Sequence, residues 1–145
     1  MVYTGDYTGA KGPEIAVSNN AFGSHQSEVF NGNAEGNTIW GGRGQDTLLG
    51  NGGDDLIFNA GGDSYLEGGD GNDILVGSGA DEILAGGQGN DLLIALSGDN
   101  TVSGNGGRDM FFVNSRSNVT DFDASEGDQM VVLGSDGAQA EMIGF

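Results

Sequence analysis

From residue 32 to residue 112 the chain divides without remainder into nine consecutive nonamers, and the eighth position of every one is apolar. They read GNAEGNTIW, GGRGQDTLL, GNGGDDLIF, NAGGDSYLE, GGDGNDILV, GSGADEILA, GGQGNDLLI, ALSGDNTVS and GNGGRDMFF. The apolar column is Ile39, Leu48, Ile57, Leu66, Leu75, Leu84, Leu93, Val102 and Phe111. An earlier segment, GSHQSEVFN from Gly23, looks like a decayed tenth copy. A fixed period of this kind marks a stacked repeat, in which each unit buries its apolar residue only against its neighbours.

Six glycine-rich residues make a tight turn and three make a short strand, whose middle side chain points inward. Two nonamers complete one coil, with turns on alternating edges and two parallel sheets face to face. The expectation is an all-β, right-handed parallel β-roll of about nine repeats, about 20 Å long at one strand spacing per coil. It divides the chain into an N-terminal flank (1–31), the roll (32–112) and a C-terminal β cap (113–145).

The two edges differ. At position six, one edge carries Asn37, Asp55, Asp73, Asp91 and Asp109, each two nonamers from the next. The other carries Asp46, Ser64, Glu82 and Asn100. Carboxylates stacked at one strand spacing repel, so the uniform column requires counter-charge between coils. Ca²⁺ suits such gaps: it accepts six to eight oxygens in flexible geometry, and glycine turns present backbone carbonyls. Mg²⁺ demands stricter geometry, and softer metals find no cysteine and one histidine. Four aspartates frame three gaps, and Asn37 with Asp55 makes a weaker fourth, so three or more ions are expected.

Residues 68–76 (GGDGNDILV), 86–94 (GGQGNDLLI) and 41–49 (GGRGQDTLL) fit the pattern G-G-x-G-x-D-x-U-x. In this the chain resembles the RTX (repeats-in-toxin) family, over 81 of 145 residues. The resemblance implies a Ca²⁺-loaded roll in which turn carbonyls and the position-six Asp ligate ions shared between turns two nonamers apart. Carried onto this sequence, the ligands are Asn51, Gly53 and Asp55; Gly68, Gly69, Asp70, Gly71 and Asp73; Gly86, Gly87, Gln88, Gly89 and Asp91; and Gly104, Gly106 and Asp109. Asn37 and Asp46 complete the set. Ser64, Glu82 and Asn100 depart from the pattern, and Asp63, Asp81 and Asp99 at position five read as solvated charges. Residues 118–123 (NVTDFD) and 127–133 (GDQMVVL) resemble the segment that follows the repeats in many RTX exoproteins, and read as two strands capping the roll. Asp121, Asp123 and Asp128 there are candidates for a further ion.

Positions seven and nine face outward. After the Asp-bearing turns they read Leu56/Phe58, Ile74/Val76, Leu92/Ile94 and Met110/Phe112. One sheet is therefore apolar on both faces, and such a strip calls for a cover. The expected cover is the flanks, residues 14–17 and 119–133; the alternative is a homodimer through Leu56, Phe58, Ile74, Val76, Leu92 and Ile94, or a neighbouring domain. Trp40 reads as core and the lone His25 as a surface residue.

Twenty-two acidic residues against four basic ones give a net charge of −18. That charge excludes nucleic acid and anionic membranes as partners. No nucleophile–base set, zinc motif, phosphate loop or EF-hand is present, so the chain does not read as an enzyme. Without cysteines it has no disulfides, and no cleavable leader opens it. Residues 134–145 resemble uncleaved C-terminal signals for one-step (type I) export. The reading is therefore a Ca²⁺-dependent structural and export module of a larger secreted protein, folding outside the cell. The alternative is a carbohydrate-binding accessory module similar to the R-modules of mannuronan C5-epimerases, though those act on an anionic polymer and want a basic stripe.

Overall fold

The computed structural model describes residues 2–4, 14–134 and 140–144. Its strands, in chain order, alternate between two sheets. They begin with β1 (Val2–Thr4), β2 (Glu14–Ala16), β3 (Asn20–Phe22) and β4 (Val29–Asn31). The nonamers supply β5 (Thr38–Arg43), β6 (Thr47–Gly52), β7 (Leu56–Gly61), β8 (Tyr65–Asp70), β9 (Ile74–Gly77), β10 (Ile83–Gln88), β11 (Leu92–Ala95), β12 (Thr101–Gly106) and β13 (Met110–Asn114). The end is formed by β14 (Asn118–Val119), β15 (Gln129–Leu133) and β16 (Ala140–Ile143). Odd-numbered strands stack in order from β1 to β15, with β16 beside β15; even-numbered strands stack from β2 to β14. Every pairing is parallel except β15 with β16.

The register is the sequence period made physical. Ile39, Ile57, Leu75, Leu93 and Phe111 pair successively, every second nonamer, in one sheet. Leu48, Leu66, Leu84 and Val102 do so in the other. All nine side chains are fully buried. Burying each contributes about 1.5–3 kcal/mol. Slipping a strand by one residue would turn its buried side chain to the outer face. The column of position-eight residues thus locks the coils in phase and fixes what the turns stack.

The strands exceed the expected three residues because pairing continues into the turn. In β8 and β10, Gly69 still pairs with Gly87 and Asp70 with Gln88. The decayed copy forms half a coil, with Val29–Asn31 pairing with Thr47–Leu49 at the same interval, and just before it Ala21 pairs with Ile39 in the other sheet.

The flanks extend the roll lengthwise instead of folding across it. Residues 14–16 pair with β4 in the even-numbered sheet, and β15 pairs with β13 in the odd-numbered one. Their backbone groups find partners at the open ends of the sheets, which leaves none of this material for the apolar face. On that face Leu56 is 42% exposed, Ile74 40% and Trp40 45%. Trp40 is thus not core; it packs its ring against Phe58 on the outer face, centroids 4.8 Å apart. His25 is exposed. Residues 135–139 and 145 of the export-like stretch lie outside the described residues.

Candidate metal centre

Because the strands lock in phase, position six of each coil stacks on position six of the next. Asn37, Asp55, Asp73, Asp91 and Asp109 form one buried column along the first edge. Within it each carboxylate does the same thing. Oδ1 of Asp55 accepts the Asn37 N–H at 2.6 Å, Oδ1 of Asp73 accepts the Asp55 N–H at 2.7 Å, and Oδ1 of Asp91 accepts the Asp73 N–H at 2.8 Å. Asp109 accepts the Asp91 N–H and Asp128 the Asp109 N–H, both at 2.9 Å. Asp128 is therefore the sixth member of the column. Its second oxygen is also taken, by the Asp123 N–H at 2.9 Å, which closes the column at that end.

In the interior of the column the second oxygen has no such use. Oδ2 of Asp55, Asp73 and Asp91 is buried and without a hydrogen-bond partner. Each lies in the slot that a side chain on the first residue of its own turn would fill. A Cβ on Gly68 would strike Asp73 Oδ2 and the Gly86 carbonyl oxygen, which lies 2.6 Å from that point. The same holds for Gly50 against Asp55 Oδ2 with the Gly68 carbonyl, and for Gly86 against Asp91 Oδ2 with the Gly104 carbonyl. Glycine at position one thus opens a slot lined by one carboxylate oxygen and one carbonyl oxygen per coil.

The electrostatics are those of an anionic column. Burial raises Asp55 to about 6 and Asp91 to about 7, against the lowering effect of the backbone N–H each accepts, with neighbouring carboxylates adding to the rise. Burial raises Asp73 and Asp109 as well. Among the described residues no three His, Cys, Asp or Glu side chains gather at one point. A donor set of single carboxylates with main-chain carbonyls, all hard oxygen, fits Ca²⁺ and gives nothing to softer metals.

The second edge is built on the same plan with different contents. Glu28, Asp46, Ser64, Glu82 and Asn100 are its buried position-six residues. The ladder persists where the side chain allows: Asp46 accepts the Glu28 N–H, Ser64 Oγ the Asp46 N–H, and Asn100 Oδ1 the Glu82 N–H, each at 2.9 Å. Position one, however, is Gly41, Asn59, Gly77, Ala95 and then Val113. Ala95 and Val113 belong to the apolar core, so side chains fill the slots at that end. Position-five residues make an exposed ladder in the reverse sense, Asp63 accepting from Asp81 N–H and Asp81 from Asp99 N–H.

The ligand set read from the sequence therefore divides. Asp55, Asp73, Asp91, Asp109 and Asn37 stand together with the first-edge turns, whereas Asp46 is on the opposite edge. Asp70 and Gln88 are exposed at position three. Asn51 takes a left-handed conformation, φ 76°, and its amide braces the turn by donating to Asn31 Oδ1 and the Gly32 carbonyl. Asp121 clamps the last coil, accepting the Gly104 and Asn105 N–H groups at 3.0 and 2.7 Å. Sequence reasoning misses Glu28 and Asn59; the signal for Asn59 is a non-glycine at position one.

The repeat geometry agrees with a family profile. The RTX calcium-binding nonapeptide repeat (4 copies) matches residues 31–66, 58–93 and 76–111, which together span more than half of the 145 residues. This chain belongs to the RTX calcium-binding repeat family. No curated protein and no solved structure matches it. The RTX match ends at residue 111, although parallel pairing continues through β15, because coil length changes there. Val119 pairs with Val102, one position earlier than the regular coil would place it, and Met130 pairs with Phe111, one position later. The RTX repeats make this roll a Ca²⁺-binding module.

Proposed function

We propose that the roll binds Ca²⁺ between successive first-edge turns, at Asp55, Asp73, Asp91 and Asp109 with the turn carbonyls of residues 50–53, 68–71, 86–89 and 104–106, and that this binding folds it. The observation that carries the reading is the unpartnered Oδ2 repeated in Asp55, Asp73 and Asp91, each facing a glycine slot beside a carbonyl. With a net charge of −18, the compact chain repels itself until cations enter the column. Folding is then linked to ligand concentration. Extracellular calcium modules bind at about 10⁻⁴–10⁻³ M, so the chain would stay open at low cytosolic calcium and fold after export. In this reading it is a non-catalytic structural and secretion module of a larger secreted protein. Circular dichroism during a Ca²⁺ titration tests it: β signal should rise cooperatively in the millimolar range, and a full signal in excess chelator would refute it.

A second reading concerns the outer face. Trp40, Leu56 and Ile74 remain open, with Phe58 half-buried beside Trp40, on a sheet face whose outward positions carry no charge over four coils, and that face suits a second copy of the chain or a neighbouring domain. Sedimentation in excess Ca²⁺ distinguishes dimer from monomer.

A further inference from the structure

Asn51 and Gly52 form a chemically reactive pair held in an unreactive shape. An asparagine followed by glycine loses its side-chain amide readily, because the glycine nitrogen carries no side chain to hinder its approach to the Asn Cγ. Three such pairs occur in the chain: Asn31–Gly32, Asn51–Gly52 and Asn105–Gly106. In the roll the attacking nitrogens are engaged. The Gly52 N–H donates to the Asn33 carbonyl at 3.1 Å, and the Gly32 N–H to the Leu49 carbonyl at 2.7 Å.

The amide of Asn51 is tied as well. Its Nδ2 donates to Asn31 Oδ1 at 2.6 Å and to the Gly32 carbonyl at 2.8 Å, from a left-handed backbone at φ 76°. Asn105 shares that backbone, φ 71°, but its amide has only Ser103 Oγ, at 3.5 Å. Asn51 is exposed, so water reaches it, and hydrogen bonds shield it where burial does not. To react, the amide must leave Asn31 and Gly32, and the Gly52 N–H must leave Asn33. All three partners belong to the preceding coil, so release requires the two coils to part.

The reaction then needs only water. The Gly52 nitrogen gives its proton to water and bonds to Asn51 Cγ; the Cγ–Nδ2 bond breaks, ammonia leaves, and a succinimide ring closes. Water opens the ring at either carbonyl, leaving aspartate or isoaspartate. Either product damages the coil. Aspartate sets a carboxylate against two acceptors, Asn31 Oδ1 and the Gly32 carbonyl. Isoaspartate adds a main-chain carbon inside β6, where Asn51 pairs with Gly69 and Gly52 with Asp70, and so breaks the register there.

We propose that Asn51–Gly52 is a modification site that the fold closes: the open chain converts Asn51, the roll does not, and a chain carrying isoaspartate there no longer enters the roll. This rests on the Ca²⁺-linked folding proposed above, so time spent without Ca²⁺ is written into the chain as a covalent change.

Full chains aged in chelator, in excess Ca²⁺ and in concentrated urea, then peptide-mapped with isoaspartyl methyltransferase labelling, read the site. Circular dichroism records which samples are folded. Position 51 should convert at similar rates in chelator and urea, and severalfold more slowly in Ca²⁺. When the chelator-aged sample is given Ca²⁺, isoaspartate at position 51 should be confined to the chains that stay protease-sensitive. Equal conversion in Ca²⁺ and urea, with the β signal present in Ca²⁺, overturns the shielding. No conversion in urea overturns the site itself, and isoaspartate at position 51 in the protease-resistant pool overturns its effect on folding. A chelated chain that keeps its full β signal and is spared, while the urea sample converts, supports shielding by the fold and refutes the Ca²⁺-linked reading instead.

Discussion

Asp73 accepts the backbone N–H of Asp55 through Oδ1 at 2.7 Å, while its Oδ2 lies buried in the slot above Gly68. One carboxylate thereby has two separate tasks, joining a coil to the preceding one and presenting charge within its own turn. The first is a neutral function that any carbonyl-like oxygen performs. The second needs the negative charge.

The two tasks come apart under substitution. Asp73→Asn keeps an oxygen for the Asp55 N–H and removes the charge, so the fold should still form at saturating Ca²⁺ while the Ca²⁺ midpoint rises severalfold. Asp73→Ala also orphans a buried N–H, which costs about 1–3 kcal/mol, and should raise the midpoint further and lower stability at saturating Ca²⁺. A Ca²⁺ titration of each variant, with urea unfolding in excess Ca²⁺, checks the pair. An unchanged midpoint in Asp73→Asn would mean that the charge is not used for binding.

Gly68 should tolerate nothing larger. Its backbone does not need positive φ, so the cost of Gly68→Ala is steric: the methyl collides with Asp73 Oδ2 and the Gly86 carbonyl. Overpacking of this kind costs about 1–3 kcal/mol, and here it also fills the slot proposed for calcium. We expect loss of the Ca²⁺-induced β signal at concentrations that saturate the unaltered chain. On the other edge Ala95 already holds a methyl at the equivalent position, so Ala95→Gly should leave Ca²⁺ binding alone and cost only core packing.

Much of this architecture is legible in the sequence. Position eight announces the coil because one face must be apolar in every unit, and position six announces the column because stacking follows from that phase. The flanks are harder to read for a physical reason. Ile15 pairs with Phe30, Val102 with Val119 and Phe111 with Met130, and none of these intervals equals the two-nonamer coil. A search at a fixed period does not see them, so they look like loose apolar material available to cover a sheet. Position one is opaque for another reason: whether Asn59 fills a slot or lines one depends on where its amide turns, and that is set by the Gly61 and Gly62 carbonyls.

The buried carboxylates of both edges also set a pH dependence whose sign is opposite to that of ordinary salt-bridged acids. Burial raises Asp55 to about 6 and Asp91, Asp46 and Glu82 to about 7 in the folded chain, from ordinary values of 3.8 for Asp and 4.5 for Glu. Between those limits the folded state binds more protons than the unfolded one, so stability falls as pH rises through the window. In chelator, lowering the pH from about 7 towards about 5 should therefore shift the open chain towards the roll. In Ca²⁺ the same protons compete with the ion, and the apparent affinity should weaken over that interval. Circular dichroism at stepped pH, in chelator and during Ca²⁺ titrations, reads both trends; a chelated chain whose β signal falls on mild acidification contradicts the assignment.

Ile74 and Leu75 are adjacent in sequence and face opposite ways, 40% and 0% exposed, which separates assembly from folding on one strand. Leu75→Ala opens a cavity beneath Ile57 and Leu93 and should cost about 2–5 kcal/mol without altering the mass in solution. Ile74→Lys places a cation on the outer face between Leu56 and Leu92, where it removes little buried area and lessens the net negative charge. Folding and Ca²⁺ binding should survive it. If the face joins two copies of the chain, sedimentation in excess Ca²⁺ should show a dimer for the unaltered chain and a monomer for Ile74→Lys, with Leu75→Ala still dimeric. A monomeric unaltered chain at high protein concentration would exclude self-association and leave a neighbouring domain as the occupant of that face.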